Sequence, residues 1–282
     1  MTKPNQVGEV VWNCPRPNGG RHDYIKKLAL ASGLSLACSL TPAAAATCIG
    51  TCGTSGANGV VGTSGASSTY QYISTASGVN GAGQIAGVGG SNGAQYTSST
   101  FTAVANDPLT FLFNYVTNDG AGYADYAWAE LRTSVGAHVA WLFTSRTQPS
   151  GNTSPGIGLP ANDATLNPGA TPIQSGTNWS GLGSSSGTCY ASGCGNTGWI
   201  QSSYNIAAAG AYEVVYGVTN WGDSYYQSGL AFDALRVNGA AVDVAGVAGV
   251  PEPAAWALML VGFGLMGSAM RKRRHTMRVT YA

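Results

Sequence analysis

The sequence predicts an all-β protein: a jelly-roll-like β-sandwich ectodomain, preceded by an N-terminal signal peptide and followed by a single C-terminal transmembrane helix. Three observations predict the sandwich. Only 9% of the residues are charged while 41 are glycine and 14 tyrosine, a texture that suits an extracellular β protein better than a helical cytosolic enzyme. Short apolar runs recur at even spacing through the second half, with Gly or Asn-Gly at most joints. No stretch between them reads as a helix: Ala207–Ala211 is too short and holds Gly210, and Ala124–Ala129 carries aromatics at strand spacing.

Taken in order, residues 1–24, with Cys14, Pro15 and Pro17, fit no export signal and read as an upstream extension, with initiation nearer Ile25. Residues 25–46 read as the signal peptide. Lys26-Lys27 supply the positive start, Leu28–Leu40 the apolar core and Thr41–Ala46 the small-residue cleavage region, with cleavage expected after Ala46. Beyond it four cysteines remain, Cys48, Cys52, Cys189 and Cys194. Outside the cytoplasm thiols oxidise, so Cys48–Cys52 and Cys189–Cys194 are expected as short-loop disulfides. A zinc site built from all four cysteines is the alternative, but neither pair has the C-x2-C spacing of zinc ribbons.

Residues 47–100 are Gly/Ser/Thr/Ala-rich, with Gly-Thr-Ser-Gly-Ala at 53–57 and again at 62–66. They read as a flexible or loosely β lead-in, with Tyr70, Tyr72 and Ile73 hinting at one short strand. Residues 101–249 are the expected sandwich. Leu109–Val116, Tyr123–Arg132 and Ala137–Phe143 are strand-like, and Thr147–Gly187 is loop-rich with five prolines. Strand signals resume at Gly198–Ile206, Ala211–Thr219, Leu230–Val237 and Ala241–Val244, and Tyr212, Val214, Tyr216 and Val218 share one face.

Between Thr47 and Gly249 nine acids face three arginines and no lysine, a formal charge of −6. A nucleic-acid partner held by phosphate contacts is therefore not expected. No cofactor is expected either. Calcium is the one ion considered, through Asp119, Asp223 and Asp233, since hard cations favour loop carboxylates and carbonyls. The favoured reading is that Asp119 and Asp223 make turns and Asp233 satisfies loop N–H groups.

Catalysis finds thin support. Gly183–Gly187 matches G-x-S-x-G at Ser185, but no strand-turn-helix frame surrounds it, and His138 lies in an apolar strand. Asp125, Glu130 or Glu213 could supply paired carboxylates for glycoside cleavage, yet nothing in the sequence fixes their separation. Aromatic residues point to binding instead: Trp179, Trp199, Trp221, Tyr225 and Tyr226 cluster in the second half, several beside Gly and Asn, as sugar-stacking contacts would. Core burial is the competing reading for each tryptophan.

Residues 250–282 form the tail. Pro251-Glu252-Pro253 is stiff and extended, and the uncharged run 254–270 follows at once. As a helix it reaches about 25 Å, just short of a hydrocarbon core of about 30 Å. Trp256 stands near one end and Arg271-Lys272-Arg273-Arg274 closes the other, which keeps that end cytoplasmic and places the bulk of the protein outside. These residues, with Trp256 three after Pro253 and Gly262-Phe263-Gly264 in the run, closely resemble the PEP-CTERM sorting signal of Gram-negative bacteria. Eight residues, His275–Ala282, extend past the usual stop. The resemblance implies an exosortase-type membrane transpeptidase as partner, inner-membrane anchoring until processing, then delivery to the cell surface or extracellular matrix. It also implies a setting of exopolysaccharide production. The stretch Gly222-Asp223 with Ser228-Gly229-Leu230-Ala231-Phe232-Asp233 is similar to the closing strands of secreted bacterial β-sandwich domains upstream of such tails. The expected function is a non-catalytic surface or matrix protein that meets exopolysaccharide or matrix components; the alternative is a secreted glycan-degrading or other hydrolytic enzyme.

Overall fold

The computed structural model describes residues 44–243. The extension 1–24, the expected signal peptide up to residue 43, and the tail with its apolar run and basic cluster lie outside the described residues. Among the described residues no helix is long and apolar enough to cross a membrane.

Fifteen strands follow in order: β1 Thr47–Ile49, β2 Thr51–Ser55, β3 Tyr70–Ser74, β4 Val79–Asn80, β5 Asn92–Thr97, β6 Phe101–Ala103, β7 Pro108–Thr117 and β8 Tyr126–Thr133. They continue as β9 His138–Arg146, β10 Thr165–Asn167, β11 Gly195–Asn196, β12 Ile200–Asn205, β13 Gly210–Thr219, β14 Ser228–Val237 and β15 Ala240–Ala241. Two short 3-10 segments, Ala121–Tyr123 and Ser180–Ser185, are the only helical pieces among the described residues. All pairing is antiparallel. One sheet runs β1-β5-β13-β8-β9 and the other β10-β12-β7-β14-β3-β2. Among the longer strands the chain changes sheet at most connections; only β2–β3 and β8–β9 pair directly with the next strand in sequence. That interleaving is a jelly roll, and it lets each strand bury its apolar face against the opposite sheet.

Alternation fills the core. Tyr212, Val214, Tyr216 and Val218 of β13 meet Phe111, Phe113 and Tyr115 of β7 inside one cluster. Rings stack across the two sheets, Phe113 on Phe143 at 3.8 Å and Tyr216 on Phe232 at 4.1 Å between centroids. A bulge in β14 between Asp233 and Arg236, with Ala234 at φ 56°, shifts the alternation by one residue. Leu230 and Phe232 before it and Leu235 and Val237 after it therefore all reach the core.

The lead-in reading of residues 47–100 does not hold. These residues supply five strands: β5 pairs with the central β13, and β3 with the central β14. Their intervening loops also lie flat on the outer faces. Gly83 sits at φ 71°, where an added Cβ would fall 2.2 Å from the Val218 carbonyl, so only glycine permits that close approach. The loop that follows brings Ile85 and Val88 over Tyr126 and Trp128. On the other sheet Val60 and Val61 cover Tyr70 and Trp179. Two smaller differences concern boundaries. β8 begins at Tyr126 because Ala121–Tyr123 is a 3-10 turn, and β15 spans two residues only.

Trp128 lies across Gly217 of the neighbouring strand, and a Cβ at Gly217 would come within 2.3 Å of the indole. The indole is buried and donates to the Gly83 carbonyl at 2.7 Å, so it has no room to yield. Gly217→Ala should therefore lower stability by about 2 kcal/mol or more through overpacking, read as a lower denaturant midpoint. An unchanged midpoint would show that the indole moves freely.

Candidate functional site

At one end of the sandwich three loops meet: 118–125 after β7, 188–194, and 220–227 between β13 and β14. Asp125 pins them. It is fully buried, takes the Trp221 N–H on Oδ1 at 2.8 Å and the Ser228 hydroxyl on Oδ2 at 2.7 Å, and its carbonyl accepts from the Tyr115 hydroxyl at 2.9 Å. The second loop is tied in by the Tyr190 N–H to the Asn118 carbonyl and by the Ala121 N–H to the Ser192 carbonyl. Both expected disulfides are formed, Cys48–Cys52 with Cα atoms 6.3 Å apart and Cys189–Cys194 with 5.7 Å, and the latter closes the loop that carries Tyr190.

This pinned frame displays aromatic rings to solvent. Tyr225 is 70% exposed, Tyr190 49%, and Tyr123 and Trp221 37% each. Tyr123 meets Tyr190 edge-on at 5.6 Å, Tyr226 lies 4.9 Å from Tyr190, and the Arg146 guanidinium stacks over Trp221 at 4.8 Å. Arg146 is itself held by the Ala124 carbonyl at 2.8 Å. Such a set of pre-positioned rings with flanking amide and carboxylate groups is suited to stacking and hydrogen bonding.

The acids beneath the rings are electrostatically strained. Burial, with Asp223 nearby, pushes the Asp119 carboxyl up to about 7, against the opposing Gly120 N–H that donates to Oδ1 at 2.7 Å. Burial also holds Asp125 well above the usual carboxylate range, opposed by its bond from Ser228. Asp119 Oδ2 is buried with no hydrogen-bond partner among the described residues.

Of the five aromatic residues expected as glycan contacts, Trp221, Tyr225 and Tyr226 stand at this loop end. Trp179 does not: it is wholly buried, donates to the Tyr70 hydroxyl at 2.9 Å and packs beneath Tyr72, so core packing claims it. Trp199 is partly buried on the outer face of the second sheet, donating to the Gly62 carbonyl at 2.9 Å. Tyr123 and Tyr190 complete the patch and were not expected, since sequence position alone does not reveal that their loops meet.

The three acids considered for calcium are not brought together. Asp233 stands opposite Leu112, partway along β14, where it accepts from the Ser64 and Ser67 hydroxyls and the Ala234 N–H, while Asp119 follows the far end of β7. Among the described residues no group of three or more His, Cys, Asp or Glu is arranged to hold a metal ion. Those three residues do not fit calcium.

Ser185 sits in a 3-10 turn, donating to the Leu182 carbonyl and accepting from the Gln227 N–H, with no strand or helix framing an elbow. His138 is paired with Glu130 instead, Nδ1 to Oε1 at 2.6 Å, while Arg132 binds the other oxygen at 2.7 Å. Glu213, across the ladder from Arg132, is pushed up by burial. This cluster on the outer face of β8 and β9 was only half visible in the sequence; the alternation Tyr126, Trp128, Glu130, Arg132 is the signal that places it on one face.

No curated protein and no solved structure matches the chain. Residues 249–274 match the protein-family model of the PEP-CTERM protein-sorting motif. The chain thus carries a PEP-CTERM sorting signal, which implies export and membrane anchoring before an exosortase-type system processes it.

Proposed function

We propose that the processed ectodomain is a non-catalytic protein of the cell surface or extracellular matrix, and that it meets exopolysaccharide or matrix components through its aromatic loop end. The observation that carries this reading is the exposed set Tyr123, Tyr190, Trp221 and Tyr225, held on a disulfide-closed, Asp125-pinned frame. Rigid rings of this kind bind with little loss of side-chain freedom. Their placement supports it further. The described chain ends at Asp243, whose carbonyl accepts from Ser99, and begins at Ala44, whose carbonyl accepts from Thr100. The residue before Asp243 bonds to Leu235, toward the end of β14 away from Ser228. Asp243 thus lies in the half of the sandwich remote from the rings.

Co-sedimentation with isolated extracellular polysaccharide tests the reading. Two stacked rings together are worth on the order of 1–3 kcal/mol, so a Trp221→Ala, Tyr225→Ala double change should weaken retention roughly tenfold while the melting temperature stays near wild type. Retention unchanged by the double substitution would remove the loop end from the account. Release of new reducing ends from the polysaccharide would favour the hydrolase alternative.

A further inference from the structure

The cluster of Glu130, Arg132 and His138 lines a separate cavity of about 240 Å³, shared with Gln84, Trp128 and Trp141. Arg132 and His138 are two of only four cationic or potentially cationic side chains between Thr47 and Gly249, and both converge on one carboxylate. Glu130 is nearly buried, with both oxygens committed, whereas the side chains of His138 and Arg132 remain 48% and 28% exposed. Trp141 meets Trp128 edge-on at 5.7 Å and lies 5.0 Å from the His138 ring. Trp128 is buried and pinned by Gly83, so it buttresses Trp141 from below.

These groups narrow the ligand. A carboxylate whose two oxygens are already taken leaves little for a metal ion. A guanidinium neutralised by that carboxylate is a weak trap for a free anion. What remains is an indole flank beside spare N–H donors and the Gln84 amide oxygen, whose Nε2 donates to the Ser91 carbonyl; this matches the apolar C–H face and hydroxyl edge of a neutral sugar ring. The volume is below the roughly 300–1,000 Å³ of pockets for drug-sized ligands, so it takes a ring rather than a long chain. We propose that this groove on the outer face of β8 and β9 is a second binding site, one that seats a single neutral pyranose unit of a glycan. The proposal rests on the glycan-contact reading above but uses none of the loop-end residues.

Calorimetric titration of the full chain in detergent with cellohexaose, mannohexaose and xylohexaose tests it. At least one should bind, and Trp141→Ala and His138→Ala should each weaken that binding about tenfold or more, a change of about 1.4 kcal/mol. His138 is exposed, so its variant remains informative should Trp141→Ala fold poorly. In the Trp221→Ala, Tyr225→Ala protein the groove's share of the hexaose binding should persist, and adding His138→Ala should remove it. No heat from any of the three sugars, or binding indifferent to His138→Ala, overturns the groove. Binding lost only in the loop-end variant also overturns it, while leaving the proposed function standing; failure of polysaccharide retention with hexaose binding intact does the reverse.

Discussion

Changing Glu252 and Pro253 together to alanine is expected to abolish processing while leaving membrane insertion intact. Pro251-Glu252-Pro253 falls inside the matched sorting motif, but the uncharged run 254–270 and the four cations Arg271–Arg274 supply the energetics of stop-transfer without it. Full-length protein should therefore accumulate in the inner membrane, heavier than the surface form by the unremoved tail. Neutralising Arg271, Lys272, Arg273 and Arg274 should act differently. It loosens the cytoplasmic anchor, so some chains slip through unprocessed. Immunoblots of membrane and surface fractions separate the two outcomes. A double-alanine protein that reached the surface at wild-type size and amount would reduce the tail to an ordinary anchor.

The second large effect concerns the buried acids under the loop end. Asp119 is pushed up to about 7 in the folded chain from an ordinary value of 3.8, so the folded state holds a proton that the unfolded state has released across that interval. Stability contributed by that proton is present in full below the unfolded value and is lost as pH rises toward 7. Asp125 is shifted in the same direction and reinforces the trend. Lowering pH from 8 to 5 should raise the stability of the sandwich by on the order of 2 kcal/mol, or about 5 °C in melting temperature. Asp119→Asn should flatten this dependence. Asp125→Ala should do more harm at every pH, because it strands the Trp221 N–H and leaves the buried Ser228 hydroxyl with Thr117 alone, at a cost on the order of 2 kcal/mol. A melting temperature that climbs from pH 5 to 8 would show that Asp119 stays ionised in the fold.

What the sequence revealed follows from which residues carry a side-chain signal. β7, β12, β13 and β14 were legible because alternating apolar side chains face a core, and the three tail features, Pro-Glu-Pro, apolar run and basic cluster, because they occur in order. Within residues 47–100 only β3 was legible, through Tyr70, Tyr72 and Ile73; strands such as Asn92–Thr97 hold their place through backbone pairing with β13 while small residues leave little periodicity to read. The glycines that suggested slack are the ones that let loops lie on the sheets, as at Gly83. The cysteine pairs followed from redox compartment and spacing. The loop-end patch was half legible: Trp221, Tyr225 and Tyr226 stood together in sequence, but Tyr190 and Tyr123 join them only once Asp125 and the disulfide loop are in place. Trp179 misled for the complementary reason, since its Gly/Ser-rich neighbours form a turn that covers a sheet rather than a loop that faces solvent. Asp233 follows its favoured reading, accepting from the Ala234 N–H and from the Ser64 and Ser67 hydroxyls of a covering loop.

The central claim, that this chain is exported and cut at its C-terminal motif, is tested most directly by mass spectrometry of the protein recovered from the cell surface and medium. The account predicts a chain that ends near Pro251–Pro253 and yields no peptide from residues 254–282 in covalent continuity with the sandwich. Recovery of an intact chain through Ala282 on the surface form would contradict it.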